Sequence, residues 1–489
     1  MSVSKKAMRA TVWVVANTYL STAVTFVASI LMARILLPEV YGIFGLSLFF
    51  LEAVGRVREV GLHEALIHRQ KDLQKAFSTQ FVLEIGVYVL AFIASLIAWP
   101  ILSRLYDPHT VKIFVFLSGL LIVHALGCTQ RIFLEKELAF GKTSLIDFTS
   151  LLLASFLGVF MAYRGFGVWS LVALKVSNLI FVTIGLWILG QWRPRLADLL
   201  DFDKDMARWF IKFGLTLWVG GTVTFVLYKY NDWVLGTFLG VAALGFYTKA
   251  LSFAQMPTSL VTSIVSKVAL PTYAKVQNEQ EKLSRAFNLV LAWILRLSVP
   301  ISLVLFLTAR EFTLLLIGER WLPMVPIFKM LIIYSLVRPI FDDTGAFLTA
   351  IGRPKIMTRI IAIQAALLMV LAPIAVWRWQ ALGGAAALNS VMLVGIILAY
   401  FKVNKFIKVN FRRTFLPTLG ILAGTVLGFY IILGNFSFGD STLLWSFIYR
   451  AGLAGFLYLL LTALLEFKII KEDLGYMKNL FPQLKLKRS

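Results

Sequence analysis

Charge is scarce in this chain, and negative charge is the scarcer kind. Only 15% of its 489 residues are charged, with 48 Lys and Arg against 25 Asp and Glu, while 59% are hydrophobic. Soluble domains carry about 25% charged and 45–50% apolar residues, so this composition excludes a water-soluble globule. Cysteine is almost missing. Cys128 stands alone, which excludes an intrachain disulfide and a thiolate metal cluster. Histidine is nearly as rare, at four residues. His63 and His68 flank Glu64 five positions apart, not at the four-residue spacing of an H-E-x-x-H helix, so they fall on different faces. No metal site and no cofactor are expected. Long polar segments are lacking between the apolar runs on one side of the chain, where a polymerase or ligase would bind its acceptor. Asp342-Asp343 is an adjacent acidic pair of the kind glycosyltransferases use, but it lies inside an apolar run with no nucleotide site around it. Enzyme chemistry is not expected.

What is abundant is the long apolar run. A spanning helix needs about 20 apolar residues, and hydropathy windows divide the chain into about fourteen such spans. The alternating pattern of a β-barrel is absent. The fold expected is an all-α polytopic membrane protein. Lys5, Lys6 and Arg9 open the chain as a signal peptide would, but the apolar run behind them is too long and reads as a retained first span. Most Lys and Arg fall in loops that alternate to one side: Arg69–Lys75, Lys136–Lys142, Arg193–Lys212, Lys267–Arg285, Arg353–Arg359 and Lys402–Arg413. That asymmetry is the positive-inside rule. The net charge of +23 therefore reports topology and lipid contact, and no nucleic-acid partner is expected. An even number of spans puts both termini on one side, and the basic ends, including Lys485, Lys487 and Arg488, make it the cytoplasm. The outer loops are short turns such as Leu37-Pro38-Glu39 and Tyr106-Asp107-Pro108.

Two stretches look alike. Thr25–Arg69 and Thr224–Lys275 each run as an apolar hairpin with a glycine–aromatic start to the second helix, Gly42-Ile43-Phe44 and Gly245-Phe246-Tyr247. Gly141 with Gly352, and Gly167 with Gly383, extend the match at a period of about 210 residues, or six spans. An even period gives both halves one orientation, hence a parallel repeat with a substrate site expected where the halves meet. The plainer account is that glycine–aromatic turns recur in any long membrane protein. The organisation expected is an N-lobe over 1–190, a linker over 191–210 in which Asp201 or Asp203 caps a helix, a C-lobe over 211–408, two further spans over 409–467 and a basic cytoplasmic tail over 468–489. Gly420, Gly424 and Gly428, four apart, suit close helix packing and not a ligand.

Charges sit inside these spans. Near the bilayer centre each costs about 2.5–3.5 kcal/mol even on lenient scales, so one retained there faces a bundle interior or a wet cavity. Arg34 in span 1, Arg56 and Arg58 in span 2, Lys249 in span 8, Arg296 in span 9 and Arg338 in span 10 are the candidate binders of an anionic group. Arginine offers phosphate oxygens a planar fork. Structural alternatives stand beside them. Arg34, near the outer end, can snorkel to headgroups. Arg56 lies between Glu52 and Glu59 at helical spacing, Asp342 follows Arg338 by four and Asp232 follows Lys229 by three, so each base has an acid in reach. Lys249 has none three or four positions away. Lys175 and Arg450 suit interfacial anchoring. Glu84, Asp147, Asp342 and Asp343 are candidates for coupling to H⁺ or Na⁺, because a buried carboxylate can take a proton or hold a cation.

The segments ARILLPEVYGIFGLS (Ala33–Ser47), LGFYTKALSFAQMPTSL (Leu244–Leu260) and FLTAIGRPK (Phe347–Lys355) resemble the Wzx-type polysaccharide flippases of the multidrug/oligosaccharidyl-lipid/polysaccharide (MOP) exporter superfamily, most nearly the colanic-acid-exporter-like branch. The likeness is a diffuse pattern over nearly the whole chain. It implies about fourteen helices in two pseudo-symmetric six-helix lobes plus a terminal pair. It also implies a place in the bacterial inner membrane and a polyprenyl-pyrophosphate-linked oligosaccharide as cargo, flipped between leaflets by alternating access for cell-surface polysaccharide biosynthesis. Polysaccharide polymerase and export machinery are the implied partners, beside membrane lipids. Lipid II flippases of the superfamily keep basic residues in helices 1, 2 and 8 facing a central cavity, and Arg34, Arg56 or Arg58, and Lys249 stand at comparable positions. Drug-exporting relatives often carry an acidic cation site in the first helix, which is absent here. The alternative function is a cation-coupled exporter of small amphipathic compounds, against which the excess of buried bases speaks. H⁺, Na⁺ and the membrane potential are all open as energy sources.

Overall fold

Pro38 makes the first turn of the chain. Its fixed φ suits the first position of a helix, and the N–H it lacks is one no helix would satisfy there, so α1 (Val3–Ile35) stops just before it and α2 (Pro38–Gly55) starts on it. The computed structural model describes residues 3–56, 61–194, 202–435 and 442–480, and every regular element among them is helical. Among the described residues, eleven helices are long and apolar enough to cross a membrane, or twelve if the bent helix over 204–238 is one span. The chain is a multi-pass membrane protein. It divides into two compact units, Met1–Thr248 and Lys249–Ser489.

In the first unit, α3 (Leu62–His68) follows Gly61, whose φ of +65° reverses the chain. Lys136 closes its far end, donating to the carbonyls of Leu66, Ile67 and Arg69, where a cation meets the negative end of the helix dipole. α4 (Leu73–Leu105) and α5 (Pro108–Lys136) are joined by the Tyr106-Asp107-Pro108 turn. Asp107 caps α5, accepting from the N–H groups of His109 (2.8 Å) and Thr110 (3.3 Å). α6 (Phe140–Tyr163) packs on α7 (Val168–Leu189) and α1, and α5 packs on α4, α7 and α2. The linker then ends in a cap, because Asp203 accepts from the N–H groups of Asp205 and Met206, both at 2.9 Å, to start α8 (Lys204–Phe238). The Met206 N–H holds the Asp203 carboxyl below its ordinary value. Asp201 lies outside the described residues. Beyond Gly240 (φ +85°), α9 (Val241–Val276) carries the chain into the second unit.

The second unit holds α10 (Gln280–Leu307), the short α11 (Ala309–Leu316), α12 (Val325–Ala350), α13 (Pro354–Val403), α14 (Phe411–Asn435) and α15 (Leu443–Leu480). α13 is two arms, broken at Trp379 and Gln380. Tyr273, Phe287, Phe347 and Tyr400 pack edge to face or tilted at the centre of the unit. Lipid is as apolar as leucine, so such packing and buried hydrogen bonds hold the helices together, not expulsion from water.

Two of the three glycine pairs that suggested a repeat prove to be neighbours of the matching turns. α12 ends with Gly352 at φ +72°, the Gly352 N–H bonding Thr349 (3.0 Å) and the Arg353 N–H bonding Leu348 (2.8 Å), a Schellman cap. The same two bonds end α5, Leu138 to Glu135 (3.0 Å) and Ala139 to Leu134 (2.9 Å), with Leu138 and not Gly141 in the left-handed position. Likewise Gly167 (φ +54°) precedes α7, and Gln380 (φ +52°), not Gly383, precedes the second arm of α13. Gly383 is needed for a different reason: a Cβ there would meet the Ala375 carbonyl.

Candidate functional site

In the first unit the polar groups gather where α2 meets α8. Arg56 caps the C-terminus of α2. Its Nη1 donates to the Gly221 carbonyl (3.2 Å), its own carbonyl accepts from the Trp218 indole, and its guanidinium lies 5.2 Å from the Phe225 ring centroid. Glu52, expected beside Arg56, turns to Lys229 of α8 (3.4 Å), and Lys229 also reaches Asp232 (3.8 Å). Arg34 is exposed in the last turn of α1, where a cation favours the carbonyl end. Arg58 and Glu59 lie outside the described residues. Glu84, buried in α4, accepts from Gln80 (2.8 Å), whose own oxygen accepts from Thr129 of α5 (2.6 Å). Asp147 takes both Nη groups of Arg131, at 3.1 and 2.5 Å, the bidentate geometry that makes such pairs strong.

In the second unit Lys249 is only 4% exposed, with its Nζ 5.5 Å from the Phe253 centroid and 6.0 Å from the Trp321 centroid. The ring faces replace part of the hydration that burial removes. On α12, Arg338 donates from Nε to Asp342 and from Nη1 to the Tyr334 hydroxyl, both at 2.7 Å. Asp342 also accepts from Thr262 of α9 (3.5 Å). Asp343 points elsewhere, its two oxygens 3.0 and 3.1 Å from the Tyr273 hydroxyl that donates to them. Arg296 of α10 donates from Nε to Glu466 (2.7 Å) and from Nη1 to Asp473 (2.8 Å). These two acids are seven apart on α15 and share a face. Arg413 of α14 joins them through Asp473 (3.6 Å) and also holds Glu472 (2.6 Å). This network lines a cleft of 1890 Å³ whose rim adds Lys275, Arg285 and Lys408.

The structure thus brings Arg56 to α8, gives Arg296 and Arg338 carboxylates within 2.8 Å, and holds Lys249 among rings. It adds partners the sequence did not point to: Arg131, Tyr273, Glu466 and Asp473. Arg450, expected to anchor at the interface, meets the buried Glu311 of α11 at 2.9 Å. The i, i+7 acids of α15 were the one local signal for any of these. No group of three His, Cys, Asp or Glu side chains is placed to hold a metal among the described residues.

The profile of the polysaccharide biosynthesis protein family matches residues 31–326, a stretch that carries Arg34, Arg56, Glu84, Asp147, Lys249 and Arg296. The chain belongs to this family. Among relatives, the lipopolysaccharide biosynthesis protein WzxC of Escherichia coli (strain K12) is 24% identical over 86% of this chain and 85% of its own length. The succinoglycan biosynthesis transport protein ExoT of Rhizobium meliloti (strain 1021) is 26% identical over 63% of this chain and 61% of its own. Of solved structures, the lipid II flippase MurJ in an inward closed conformation superposes with a TM-score of 0.68, at 16% identity, over 93% of this chain and 99% of that one. An inward-facing multidrug resistance MATE transporter of the MOP superfamily gives 0.59, at 14% identity, over 79% and 95%. At such identities the likeness is one of fold. This polysaccharide biosynthesis protein has the fold of the MOP transporters, and the resemblance to the Wzx type holds.

Proposed function

We propose that this family member is a flippase that carries a polyprenyl-pyrophosphate-linked oligosaccharide from the inner to the outer leaflet of a bacterial cytoplasmic membrane. One observation supports this above the others: cations sit within apolar helices of a polysaccharide biosynthesis protein, Lys249 being sealed among rings at 4% exposure. A pyrophosphate brings negative charge that such bases can meet, the oligosaccharide brings polar surface that lipid rejects, and the prenyl tail can stay in the bilayer. Lys249 and Arg56 are the first contacts in this reading, with Arg34 and Arg58 beside them. Arg296 and Arg338 already hold carboxylates, so a phosphate would have to take their place. Moving the head group breaks no covalent bond, and no catalytic residue is called for. Rocking of two six-helix lobes with cytoplasmic termini would expose the bases first inward and then outward. A polymerase and export machinery would take up the product.

The test is reconstitution in liposomes with a fluorescent polyprenyl-pyrophosphate oligosaccharide, comparing the native chain with Lys249→Met and Arg56→Ala. Methionine conserves the volume of Lys249 while removing a desolvated charge, so stability is expected to hold or rise. Translocation is expected to fall about ten-fold or more, equivalent to about 1.4 kcal/mol added to the barrier. Undiminished movement in both variants would return these bases to structural roles. Efflux of a small amphipathic cation in place of lipid movement would favour the drug-exporter reading.

A further inference from the structure

The cleft of the second unit carries more positive charge than its own carboxylates use. It opens among the C-terminal ends of α9 and α15, the N-terminal ends of α10 and α14, and the turn between α13 and α14. Of the bases that line it, Arg296 and Arg413 hold Glu466, Glu472 and Asp473, and Lys282 holds Glu279. Lys275, Arg285 and Lys408 are in no ion pair among the described residues. Glu281 is the one lining carboxylate that is also unpaired, so the unpaired charge is three positive against one negative. All of these residues belong to the second unit.

Two of the three bases are held in position. The Arg285 guanidinium lies 5.1 Å from the ring centroid of Tyr476, which fixes it across to α15. Lys408 sits on a turn whose backbone is gripped by one face of α10. Gln280 donates to the Phe406 carbonyl (2.9 Å), and Ser284 and Asn288 donate to that of Lys408 (2.7 and 3.0 Å). Asn288 also accepts from the Asn410 N–H (2.8 Å). Positions 280, 284 and 288 are four apart and so share that face. Cations needed only for topology would be solvated and would require no such scaffold.

Fixed, unpaired bases around a cleft suit the oxygens of a phosphate group. At 1890 Å³ the cleft exceeds the about 300–1,000 Å³ of a drug-sized site, so it has room for a headgroup and not a phosphate alone. Its walls include two of the basic stretches, 267–285 and 402–413, that the positive-inside rule assigns to the cytoplasm. The leaflet there is anionic, and basic pockets between helices on that side bind lipid headgroups. Beyond the cleft, Leu416, Leu419 and Leu427 of α14 and Leu459 and Leu464 of α15 are exposed, an apolar surface that acyl chains cover.

We propose that Lys275, Arg285 and Lys408 bind the phosphate group of an anionic phospholipid of the cytoplasmic leaflet. The surplus of two positive charges matches a headgroup carrying one or two negative ones. Such a lipid ties α9 and the α13–α14 turn to α10, where the ion pairs of the cleft join only α10, α14 and α15.

The full-length protein in neutral detergent is titrated with phosphatidylglycerol, phosphatidylcholine or inorganic pyrophosphate, and its thermal midpoint is followed, since a ligand of the folded state raises it. Phosphatidylglycerol is expected to raise the midpoint and phosphatidylcholine to leave it in place. Each base near a membrane surface contributes a factor of about five, so Lys275→Gln/Arg285→Gln/Lys408→Gln should need about a hundred-fold more phosphatidylglycerol. The three side chains are exposed, and without lipid this variant should melt close to the native chain. Should it not fold, Arg285→Gln alone decides, with a shift of about five-fold. Arg353→Gln/Lys355→Gln/Arg359→Gln removes the same charge from exposed positions outside the cleft and should respond as the native chain does. An equal response of the native chain to both lipids, or an equal loss in the two triple variants, overturns the site. Pyrophosphate acting as well as phosphatidylglycerol overturns the lipid as its ligand. The assay contains no oligosaccharide cargo, so either result leaves the flippase reading as it stands.

Discussion

His63 shows how one side chain makes the fold sensitive to pH. Its Nε2 lies 3.0 Å from the Glu135 carboxylate, and that hydrogen bond raises the imidazole above its ordinary value. A group whose folded value is raised contributes stability in full below its unfolded value, about 6.5 for histidine, and loses it as pH rises through the folded one. At 41% side-chain exposure the pair is screened, so the effect is small. The thermal midpoint of the native chain should exceed that of His63→Gln in acid, with the gap closing above neutrality. A gap that stayed constant across that range would remove the pair from the account. The rings of Phe253 and Trp321 beside the buried Lys249 offset part of the cost of its burial.

Among helices, the tie between α10 and α15 is the one most exposed to mutation. Arg296 is 9% exposed and serves two acids, Glu466 at 5% and Asp473 at 15%. Removing one member of a buried pair strands the other charge, at a cost of about 3–5 kcal/mol. Arg296→Ala should therefore lower the thermal midpoint in detergent strongly, and adding Glu466→Leu should recover much of the loss. No recovery in the double variant would mean that Arg296 acts through packing alone. With Arg450 and Glu311 pairing at the start of α15 (2.9 Å), ion pairs to α11 and α10 hold this helix at two places along its length. That is a structural reason for Arg296 to exist, and it lowers its rank among the candidate cargo contacts.

For the molecule as a whole, the proposed cargo sets a test that separates the three open energy sources. On that proposal, an anionic head group moving outward against a negative interior would gain about 2.3 kcal/mol per charge per 100 mV, so translocation in oriented proteoliposomes should quicken when an inside-negative potential is imposed and slow when it collapses. Indifference to potential would leave Glu84 and Asp343 as the places to look for ion coupling. By itself the sequence determined the membrane class, the turn at Pro38, a helix cap at Asp201 or Asp203, and the pairs Lys229–Asp232 and Arg338–Asp342. These are legible because helix pitch and capping chemistry act over no more than four positions. Only the tertiary structure decided that Glu52 takes Lys229 over Arg56, that Arg296 finds acids 170 and 177 positions away, and that Gly42 and Gly245 face each other's helix starts. A helix surface presents several partners at equal reach along the chain, and which one is met depends on the neighbouring helix that packing brings alongside.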